Sequence, residues 1–419
     1  MDSQESCEPP ASLSILESTA TSAGQSLIND VLQFTQIGDV VGFCCYNPTM
    51  PPRKYQVAII GDTKRGRYGH GLDTCWLSMP EAQIIGVADP DDAGRAAARK
   101  RLGAPLAFAD YREMLDTTRP QLAAICPRWL DQHRDMFLEC ATRGIHVFME
   151  KPMCRDLSEA DQMVSAAEKY NVKLAMAHQA RYSPRLAMVR RLIEDGTLGE
   201  VLELRGRGKE DSRRGGGEDL WVLGSHIMNL IYHLGGEPKW CFAEVKQNGK
   251  RVTKADVQNG NEGIGPLAGD EIFAQFGMNE SRATFGTKRG TGTGRPWRFG
   301  LQVYGSKGIV EILTGYMPEV WFLPDPSWSP GRSGKEWLPV SSAGIGKPEP
   351  FQFKDARTAG NVAICRDLID AIETDRDPEC SVREGRWTVE MIAAIFESHC
   401  LNEPVTFPLR NRTNPLTRL

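Results

Sequence analysis

The sequence predicts an α/β protein that opens with a parallel sheet and continues into a second α/β domain. Three observations support this prediction. Short apolar runs alternate with helical segments between residues 55 and 177, as expected for right-handed strand–helix–strand crossovers. A glycine-containing turn follows the first apolar run. The chain has 419 residues and 41% apolar content, which is enough for two domains with separate cores.

The first strands are predicted from short runs rich in β-branched residues, because strands buried on both faces are nearly continuous apolar runs. These runs are Tyr55–Ile60, Ala82–Ala88, Gln121–Cys126, Gly144–Met149 and Val172–Ala177. Helices are predicted between them at Asp91–Leu102, Tyr111–Asp116 and Asp131–Arg143, with another starting at Leu72.

The turn after the first strand matches a dinucleotide-binding fingerprint in part. Gly61 and Gly66 occupy the first and third glycine positions of that motif, whereas Thr63 stands at the second. The first and third glycines permit the tight turn and close helix–strand packing, so threonine at the second position reshapes only the phosphate site. Lys64 and Arg65 can supply positive charge to a diphosphate. The alternative is a solvated basic loop.

Asp89 follows the second strand, where an acid can bind the hydroxyls of an adenosine ribose and repel a 2′-phosphate. This position favours NAD over NADP as the cofactor. The alternative is that Asp89-Pro90-Asp91 is a turn or a helix N-cap. Pro127 follows the third strand and is a further candidate cofactor contact.

The most informative stretch is the fourth strand and its continuation into Glu150-Lys151-Pro152. Open α/β sheets bind ligands at the carboxyl ends of their strands, so the Lys151 ammonium is expected in a binding crevice beside Glu150. Proline fixes the direction in which the chain leaves the strand. The alternative is a salt bridge between Lys151 and Glu150.

These motifs, taken in order, resemble the Gfo/Idh/MocA oxidoreductases, a family named after glucose-fructose oxidoreductase and inositol dehydrogenase. The matching residues extend over roughly residues 55 to 419 and are Val57–Gly66, Val87–Asp89, Gly144–Val147 with Glu150–Pro152, Arg181–Pro184, Gly196–Val201, Gly224–His226, Tyr304–Gly308, Val405–Leu409, Arg412 and Pro415-Leu416. The resemblance implies a Rossmann domain at 54–177. It also implies a C-terminal α/β domain at 178–419 with a large open, mainly antiparallel sheet that often mediates homo-oligomers.

The family pattern around its histidine is Asp-x-Gly-x-His-x-x-Asp. This chain keeps His226, but Val222 replaces the first acid and Asn229 the second. The resemblance implies that His226 or Lys151 moves the proton of a substrate hydroxyl while hydride leaves the carbon, a role that suits imidazole because it titrates near neutrality. Asp219 is a candidate replacement for the lost acid, and both Asp219 and Asn229 are candidate substrate contacts. The alternative is that His226 is a structural helix residue.

Other residues are candidates by position. Arg181 and Tyr182 open the second domain near the expected cleft, where they would contact substrate or brace the domain junction. His133 follows the third strand, in a region that the family uses to cover the nicotinamide. His178 follows the fifth strand and would face the same crevice.

The resemblance implies an NAD-dependent oxidoreductase that acts on a secondary hydroxyl, or the matching ketone, of a sugar, polyol or derivative. Two alternatives stay open. One is NAD-dependent glycoside hydrolysis on the same fold. The other is a non-catalytic sensor that binds NAD or sugar, which Thr63, Val222 and Asn229 favour.

Composition excludes several other classes of protein. A net charge of −4 with mixed signs argues against general affinity for nucleic acid or anionic membranes. The basic stretch 205–214 is expected to be a solvated loop or to attract an acidic substrate. The 11 cysteines, with no Cys-x-x-Cys pair, fit reduced thiols in the cytoplasm and argue against disulfides or a zinc site. No apolar run is long enough to predict a transmembrane helix.

The remaining segments are predicted from composition and periodicity. Residues 1–53 match nothing in the family and are expected to form a partly disordered extension, because their first half is rich in Ser, Glu, Pro and Thr. Gly290–Gly294 and Pro324–Pro350 are expected to be loops. Ala359–Thr374 and Arg383–Cys400 have helical periodicity and are expected to cover a sheet or return to the first domain.

Overall fold

A computed structural model describes residues 55–292, 298–352 and 354–419, which belong to one compact unit. The predicted extension at residues 1–53 and the last two residues of the predicted loop at 290–294 lie outside the described residues.

The first sheet has six parallel strands in the order β3-β2-β1-β4-β5-β6. The order reverses between β1 and β4, so the carboxyl ends of these two strands open a crevice at the edge of the sheet. The strands are β1 (Tyr55–Ile60), β2 (Ala82–Ala88), β3 (Leu106–Phe108), β4 (Leu122–Ile125), β5 (His146–Met149) and β6 (Leu174–Met176).

The five predicted strands of this sheet are confirmed, with ends that shift by one or two residues. Strand β3 was missed, because it has three residues at the sheet edge and its first, Leu106, is exposed. The first-domain helices are α1 (Asp92–Leu102), α2 (Tyr111–Thr118), α3 (His133–Ala141) and α4 (Leu157–Tyr170). Asp91 caps α1 by accepting a hydrogen bond from the main-chain N–H of Gly94, at 2.9 Å.

The predicted helix from Leu72 is wrong. Turns continue to Thr74, and a short 3-10 helix, Cys75–Ser78, follows. Gly69 and Gly71 adopt positive φ angles, which keep the chain in turns, and the residue before Pro80 disfavours helical geometry. Leu72 and Trp76 are nevertheless buried against the first sheet, so the segment still covers the face that a longer helix would cover.

The second sheet has eleven strands, and all of its pairs are antiparallel except β7 with β13. The order is β18-β17-β16-β15-β14-β7-β13-β12-β8-β19, and β9 pairs with β8. The predicted open, mainly antiparallel sheet is therefore confirmed. Its strands are β7 (Val201–Arg207), β8 (Trp240–Gln247), β9 (Lys250–Arg251), β12 (Glu271–Gly277), β13 (Arg282–Lys288), β14 (Gly300–Gly305), β15 (Gly308–Leu313), β16 (Glu319–Leu323), β17 (Leu338–Ser341), β18 (Gly344–Ile345) and β19 (Val405–Thr406).

The predicted loop Pro324–Pro350 is wrong in part, because it contains β17, β18 and a short helix at Pro330–Ser333. Strand β17 pairs with β16 through Val340, an inward-facing residue that is 3% exposed. Because this stretch is rich in proline and serine, its composition did not indicate the two strands that extend the sheet. A separate hairpin pairs β10 (Gln258–Gly260) with β11 (Gly265–Leu267).

The second-domain helices cover one face of this sheet and also return to the first sheet. They are α5 (Pro184–Glu194), α6 (Ser225–Gly235), α7 (Ala356–Glu373) and α8 (Val382–Leu401). Helix α8 contacts β8, α4 and α6, whereas α7 packs Ile364 and Leu368 against the core of the first sheet. Both helical predictions near the C-terminus are confirmed. Short 3-10 helices lie at Leu130–Gln132, Gln179–Tyr182, Lys254–Asp256, Asn261–Gly263 and Pro415–Arg418.

Candidate active site

Lys151 joins the two domains at the carboxyl edge of the first sheet. It follows the end of β5, is 5% exposed, and donates a hydrogen bond from Nζ to the carbonyl oxygen of Val222 at 2.9 Å. Val222 lies in a π-helical turn, Leu220–Gly224, which leads directly into α6. Such turns interrupt the α-helical hydrogen-bond ladder and occur often at functional sites. The side chain of Val222 cannot replace an acid, but its carbonyl binds the lysine.

Two histidines meet beside this contact. His226 lies in the first turn of α6 and His178 follows β6, and their Nδ1 atoms are 3.3 Å apart with the rings edge to face. In a hydrogen bond between the two rings, one Nδ1 donates its proton and the other Nδ1 accepts without a proton of its own. Burial, then the charges of Lys151 and Arg181, lower the pKa of His178 to about 3. Burial, Lys151 and His178 also hold the pKa of His226 well below its usual value.

Opposite charges compensate in part for the burial of Lys151. Burial lowers the pKa of the Lys151 ammonium, and the Glu150 carboxylate acts in the opposite direction. Glu150 is fully buried; burial alone would raise its pKa, but contacts with His70 and the charge of Lys151 bring that pKa to about 2. Among the described residues, the Lys151 ammonium binds the Val222 carbonyl, and the Glu150 carboxylate binds the His70 ring.

Asp89 organises the turn that follows β1. Its carboxylate accepts hydrogen bonds from the main-chain N–H of Thr63 at 3.1 Å, the Thr63 hydroxyl at 2.7 Å, the Tyr68 hydroxyl at 2.9 Å and the main-chain N–H of Asp91 at 2.9 Å. A carboxylate has about four lone-pair sites. Asp89 is fully buried, so its acceptor capacity is used by the protein itself. Thr63 thereby gains a defined role, because it ties the turn to the end of β2.

The predicted basic residues of the turn lie at its surface. Lys64 is 3.2 Å from Asp91, and Arg65 pairs with Asp131. Gly66 has a φ of +88°, and a Cβ there would lie 2.7 Å from Arg128, so this place requires glycine.

A cavity of about 210 Å³ opens at the carboxyl ends of β1 and β2. Its lining combines apolar and acidic groups, among them Gly61, Asp62, Asp89, Tyr111 and Met136. Burial raises the pKa of Asp62, and the neighbouring Asp89 charge adds to this shift. The cavity therefore lies beside β1, next to the point where the strand order reverses, and its charged lining groups are Asp62, Asp89, Asp110 and Arg112.

His133 links the two loops that Pro127 and Pro152 begin. Its Nε2 lies 2.7 Å from the Pro127 carbonyl oxygen and its Nδ1 lies 3.0 Å from the Pro152 carbonyl oxygen. The ring is fully buried. His133 therefore holds the ends of β4 and β5 together, and both of its nitrogens face main-chain carbonyls.

Arg181 and Tyr182 lie at the junction of the domains. The Tyr182 hydroxyl donates to Asp367 at 2.8 Å and accepts from the main-chain N–H of Cys380 at 3.0 Å, which braces the junction against α7 and the start of α8. Arg181 is 3.7 Å from Glu379, and its buried Nε and Nη1 have no hydrogen-bond partner among the described residues.

The side chains of Asn229 and Asp219 contact residues other than His226. The Asn229 amide faces Cys380 at 3.6 Å and Thr388 at 3.4 Å, and the residue is 1% exposed. Asp219 accepts a hydrogen bond from the Thr287 hydroxyl at 2.5 Å. Burial raises the pKa of Asp219 to about 6. The structure thus gives the Asp219 carboxyl a partner on β13, and the Asn229 amide partners around α8.

The predicted loop at 205–214 is wrong in part, because Arg205 and Arg207 lie in β7, and the charges of this basic stretch are largely neutralised by acids. Arg205 pairs with Glu203 at 2.6 Å, and Arg214 binds Glu262 at 3.1 Å.

Sequence reasoning also missed His70, although the pattern Gly69-His70-Gly71 in a candidate cofactor turn was a visible signal.

The chain belongs to the Gfo/Idh/MocA family of oxidoreductases. Residues 55–178 match the family's "Oxidoreductase family, NAD-binding Rossmann fold", and residues 190–407 match its "Oxidoreductase family, C-terminal alpha/beta domain". These matches confirm the predicted family and the order of its two folds. They also confirm NAD as the class of cofactor.

Curated relatives include several sugar and polyol dehydrogenases. Levoglucosan dehydrogenase of Pseudarthrobacter phenanthrenivorans is 25% identical over 224 residues, which are 48% of this chain and 56% of that protein. Myo-inositol 2-dehydrogenase of Thermotoga maritima is 24% identical over 225 residues, 50% of this chain and 67% of that protein. Glycosyl hydrolase family 109 protein 1 of Akkermansia muciniphila is 27% identical over 177 residues, 38% of this chain and 36% of that protein. The chain thus spans about half the length of the first of these relatives.

Solved structures share the fold across both domains. Levoglucosan dehydrogenase in complex with NADH and levoglucosan has a TM-score of 0.68 at 19% identity, covering 85% of this chain and 100% of that chain. The WlbA dehydrogenase from Bordetella pertussis, in complex with NADH and UDP-GlcNAcA, has a TM-score of 0.63 at 20% identity, covering 86% and 99%.

Proposed function

We propose that this protein is an NAD-dependent oxidoreductase that oxidises a secondary hydroxyl, or reduces the matching ketone, of a sugar, polyol or derivative. The observation that carries the proposal is the contact of Lys151 Nζ with the Val222 carbonyl, one turn before His226. The Lys151 ammonium and the histidine pair lie at the carboxyl edge of the first sheet, and we assign the adenosine half of NAD to the cavity at the ends of β1 and β2 on the same edge. Family membership and the sugar and polyol dehydrogenases among the relatives support the same class of substrate.

Lys151 and His226 are the residues that we assign to the reacting hydroxyl. NAD, when bound in its oxidised form, accepts the hydride. An ammonium has three donors, and Lys151 uses one of them on Val222, so two remain for a substrate oxygen. In the oxidation direction a positive charge beside that oxygen stabilises the negative charge that develops there. The neutral His226 ring supplies a second hydrogen-bonding group.

The cofactor contacts follow from the turn after β1. We assign the diphosphate to the main chain of Gly61–Gly66, with Lys64 and Arg65 supplying charge, and the nicotinamide to the Pro127 and Glu150–Lys151 loops. Asp89 acts through Thr63 to hold the turn. Because three acids, Asp62, Asp89 and Asp110, line the cavity against one base, Arg112, NAD should raise the Tm more than NADP at equal concentration. The reverse order would remove this argument.

Among the predicted substrate contacts, Arg181 keeps the best support. Its charge contributes to the lowered pKa of His178, and two of its buried nitrogens lack hydrogen-bond partners among the described residues. Tyr182, Asp219 and Asn229 bind protein groups instead, and we assign them to holding the site together.

The decisive experiment is a substrate panel of polyols, aldoses, anhydrosugars and glycosides, followed by NADH absorbance and by chromatography of the products. NADH formation on a polyol or sugar supports the proposal. Release of a free sugar from a glycoside without net NADH would instead support the hydrolase alternative. Retained NAD binding with turnover on no compound would contradict catalysis and support the sensor alternative.

Oligomerisation belongs to the same proposal. The outer face of the second sheet exposes Phe242 and Phe273 on neighbouring strands, at 41% and 49%, and we propose that a second copy of the chain covers them. Light scattering of the wild type and of a Phe242→Lys variant tests this, and a monomeric wild type would contradict it.

Among the described residues, no helix has both the length and the apolar character that a membrane span requires. Cytoplasmic location stays a prediction.

A further inference from the structure

Glu150, the acid that precedes Lys151, binds a histidine to which no role has been assigned so far. Its Oε2 atom accepts a hydrogen bond from the main-chain N–H of His70 at 3.0 Å and lies 2.9 Å from His70 Nδ1. The other oxygen, Oε1, accepts from the main-chain N–H of Lys151 at 3.1 Å. An ionised carboxylate can only accept, so the His70 nitrogen that faces it must carry a proton. This contact fixes both the tautomer and the orientation of the ring.

The position of His70 is held from both domains. Gly69 adopts a φ of +62°, and a Cβ at that residue would lie 2.4 Å from Glu150 Oε2 and 2.5 Å from the Cys126 carbonyl oxygen. The His70 carbonyl accepts a hydrogen bond from Asn361 Nδ2 on α7 at 3.1 Å. Asn361 is in turn bound by Gln179 at 2.8 Å. Glycine is therefore required beside His70, and a second-domain amide fixes its main chain.

One side of the His70 ring is accessible. The side chain of His70 is 31% exposed, whereas that of Glu150 is fully buried. Among the described residues, the His70 side chain makes its hydrogen bond to Glu150 through Nδ1, and Nε2 has no hydrogen-bond partner. The charge of His70 is one of the causes that lower the pKa of His226, so the two rings are electrostatic neighbours. His70 thus has an oriented ring with an available nitrogen at the carboxyl edge of the first sheet, bound to the acid that precedes Lys151.

The three histidines of the site differ in the charged side chain that lies nearest to the ring. A proton on His226 or His178 would lie near the Lys151 ammonium, which repels it. A proton on His70 would lie against the Glu150 carboxylate, which attracts it. A carboxylate beside a histidine stabilises the imidazolium that forms when the ring accepts a proton. A histidine with such a partner is therefore the better general base.

We propose that His70, oriented by Glu150, is the residue that exchanges the substrate's hydroxyl proton through Nε2. This inference rests on the proposed function and names the proton acceptor of that same site. In the oxidation direction the carbinol C–H electron pair leaves as hydride to the oxidised nicotinamide, and the hydroxyl proton moves to Nε2. The carbon–oxygen bond becomes a carbonyl, and the imidazolium formed is balanced by Glu150. Reduction runs through the same atoms in reverse. Lys151 keeps its proton and binds the reacting oxygen.

Three variants separate proton transfer from positioning. His70→Ala removes the ring, and His70→Asn keeps a side-chain donor for Glu150 but has no nitrogen in place of Nε2. His146→Ala is the matched control, because His146 lies at the opposite end of β5 and accepts a hydrogen bond from the main-chain N–H of Lys173 at 2.9 Å. On the best substrate of the panel, we expect both His70 variants to lose roughly 10²- to 10⁴-fold in kcat, with the control near wild type.

A further readout tests the chemical step. Added imidazole should restore part of the turnover of His70→Ala. Wild-type-like turnover of His70→Asn would show that the residue only positions Glu150 and would overturn the proposal. Failure of imidazole to restore any turnover of His70→Ala would overturn it as well.

A second measurement needs no substrate, so it separates failure of this inference from failure of the proposed function. Diethyl pyrocarbonate acylates accessible, unprotonated imidazole nitrogens, and peptide mapping locates the products. We expect His70 to be modified faster than His133 and His178, and NADH to slow its modification. If no compound turns over, the proposed function fails, but this result still decides the placement of His70. Resistance of His70 to the reagent, or the absence of protection by NADH, would overturn the inference.

Discussion

Replacement of Lys151 by methionine tests the contact on which the candidate site depends. Methionine has a similar length and volume but lacks the ammonium that donates to the Val222 carbonyl at 2.9 Å. A residue that acts on the reacting oxygen contributes roughly 10²- to 10⁴-fold to the rate, or about 2.7–5.4 kcal/mol of transition-state stabilisation. We therefore expect kcat of Lys151→Met to fall by that factor on the best substrate of the panel.

The stability of this variant should change little. Loss of the ammonium leaves the Val222 carbonyl without its partner, which costs about 1–3 kcal/mol. The same substitution also removes a buried charge, whose desolvation is the main cause of the lowered pKa of Lys151. Because these two effects oppose each other, the free energy of unfolding should stay close to that of the wild type.

Lys307→Met is the matched control, because Lys307 Nζ also donates to a main-chain carbonyl, that of Gly196, at 2.9 Å. The assay compares kcat, KM and denaturant unfolding for the three proteins. If Lys151→Met keeps turnover within tenfold of the wild type while remaining folded, the placement of Lys151 at the reacting oxygen is refuted.

Three other variants test the surroundings of the site. Tyr68→Phe removes one donor to the buried Asp89 carboxylate, so the free energy of unfolding in urea should fall by about 1–3 kcal/mol, whereas the exposed control Tyr170→Phe should not change it. Asn229→Asp restores the family's acid at a site that is 1% exposed, where an ionised carboxylate is costly. The Tm of this variant should therefore fall at pH 7 and recover at lower pH, and an equal Tm at both pH values would count against this burial. His178 has a pKa of about 3 when folded and 6.5 when unfolded, so the unfolded chain binds more protons between these values. Stability should therefore decline as pH falls from 6.5 towards 3, by up to about 1.36 kcal/mol per pH unit, and His178→Phe should lose this part of the decline. A His178→Phe curve of Tm against pH parallel to the wild-type curve would disprove the linkage.

Local patterns predicted the first domain well because its strands are short apolar runs that are buried on both faces. Strand β1 has five of its six residues buried, and such a run is recognisable without knowledge of its neighbours. The same reasoning failed at Leu72, where Trp76 is buried by packing under α7 and not by helical periodicity. It also failed at β17, whose pairing with β16 depends on a partner strand that the local composition does not reveal.

Local sequence patterns were enough to predict that Lys151 follows a strand at the carboxyl edge of a parallel sheet and that His226 lies in a second domain. The three-dimensional packing was needed to show that the Val222 carbonyl binds Lys151, that His178 contacts His226, and that Tyr68 and Thr63 donate to Asp89. Periodicity along the chain reports which face of an element is buried, because that depends on neighbouring residues. Hydrogen-bond partners far apart in sequence depend on how the two domains pack, and no local pattern encodes that packing.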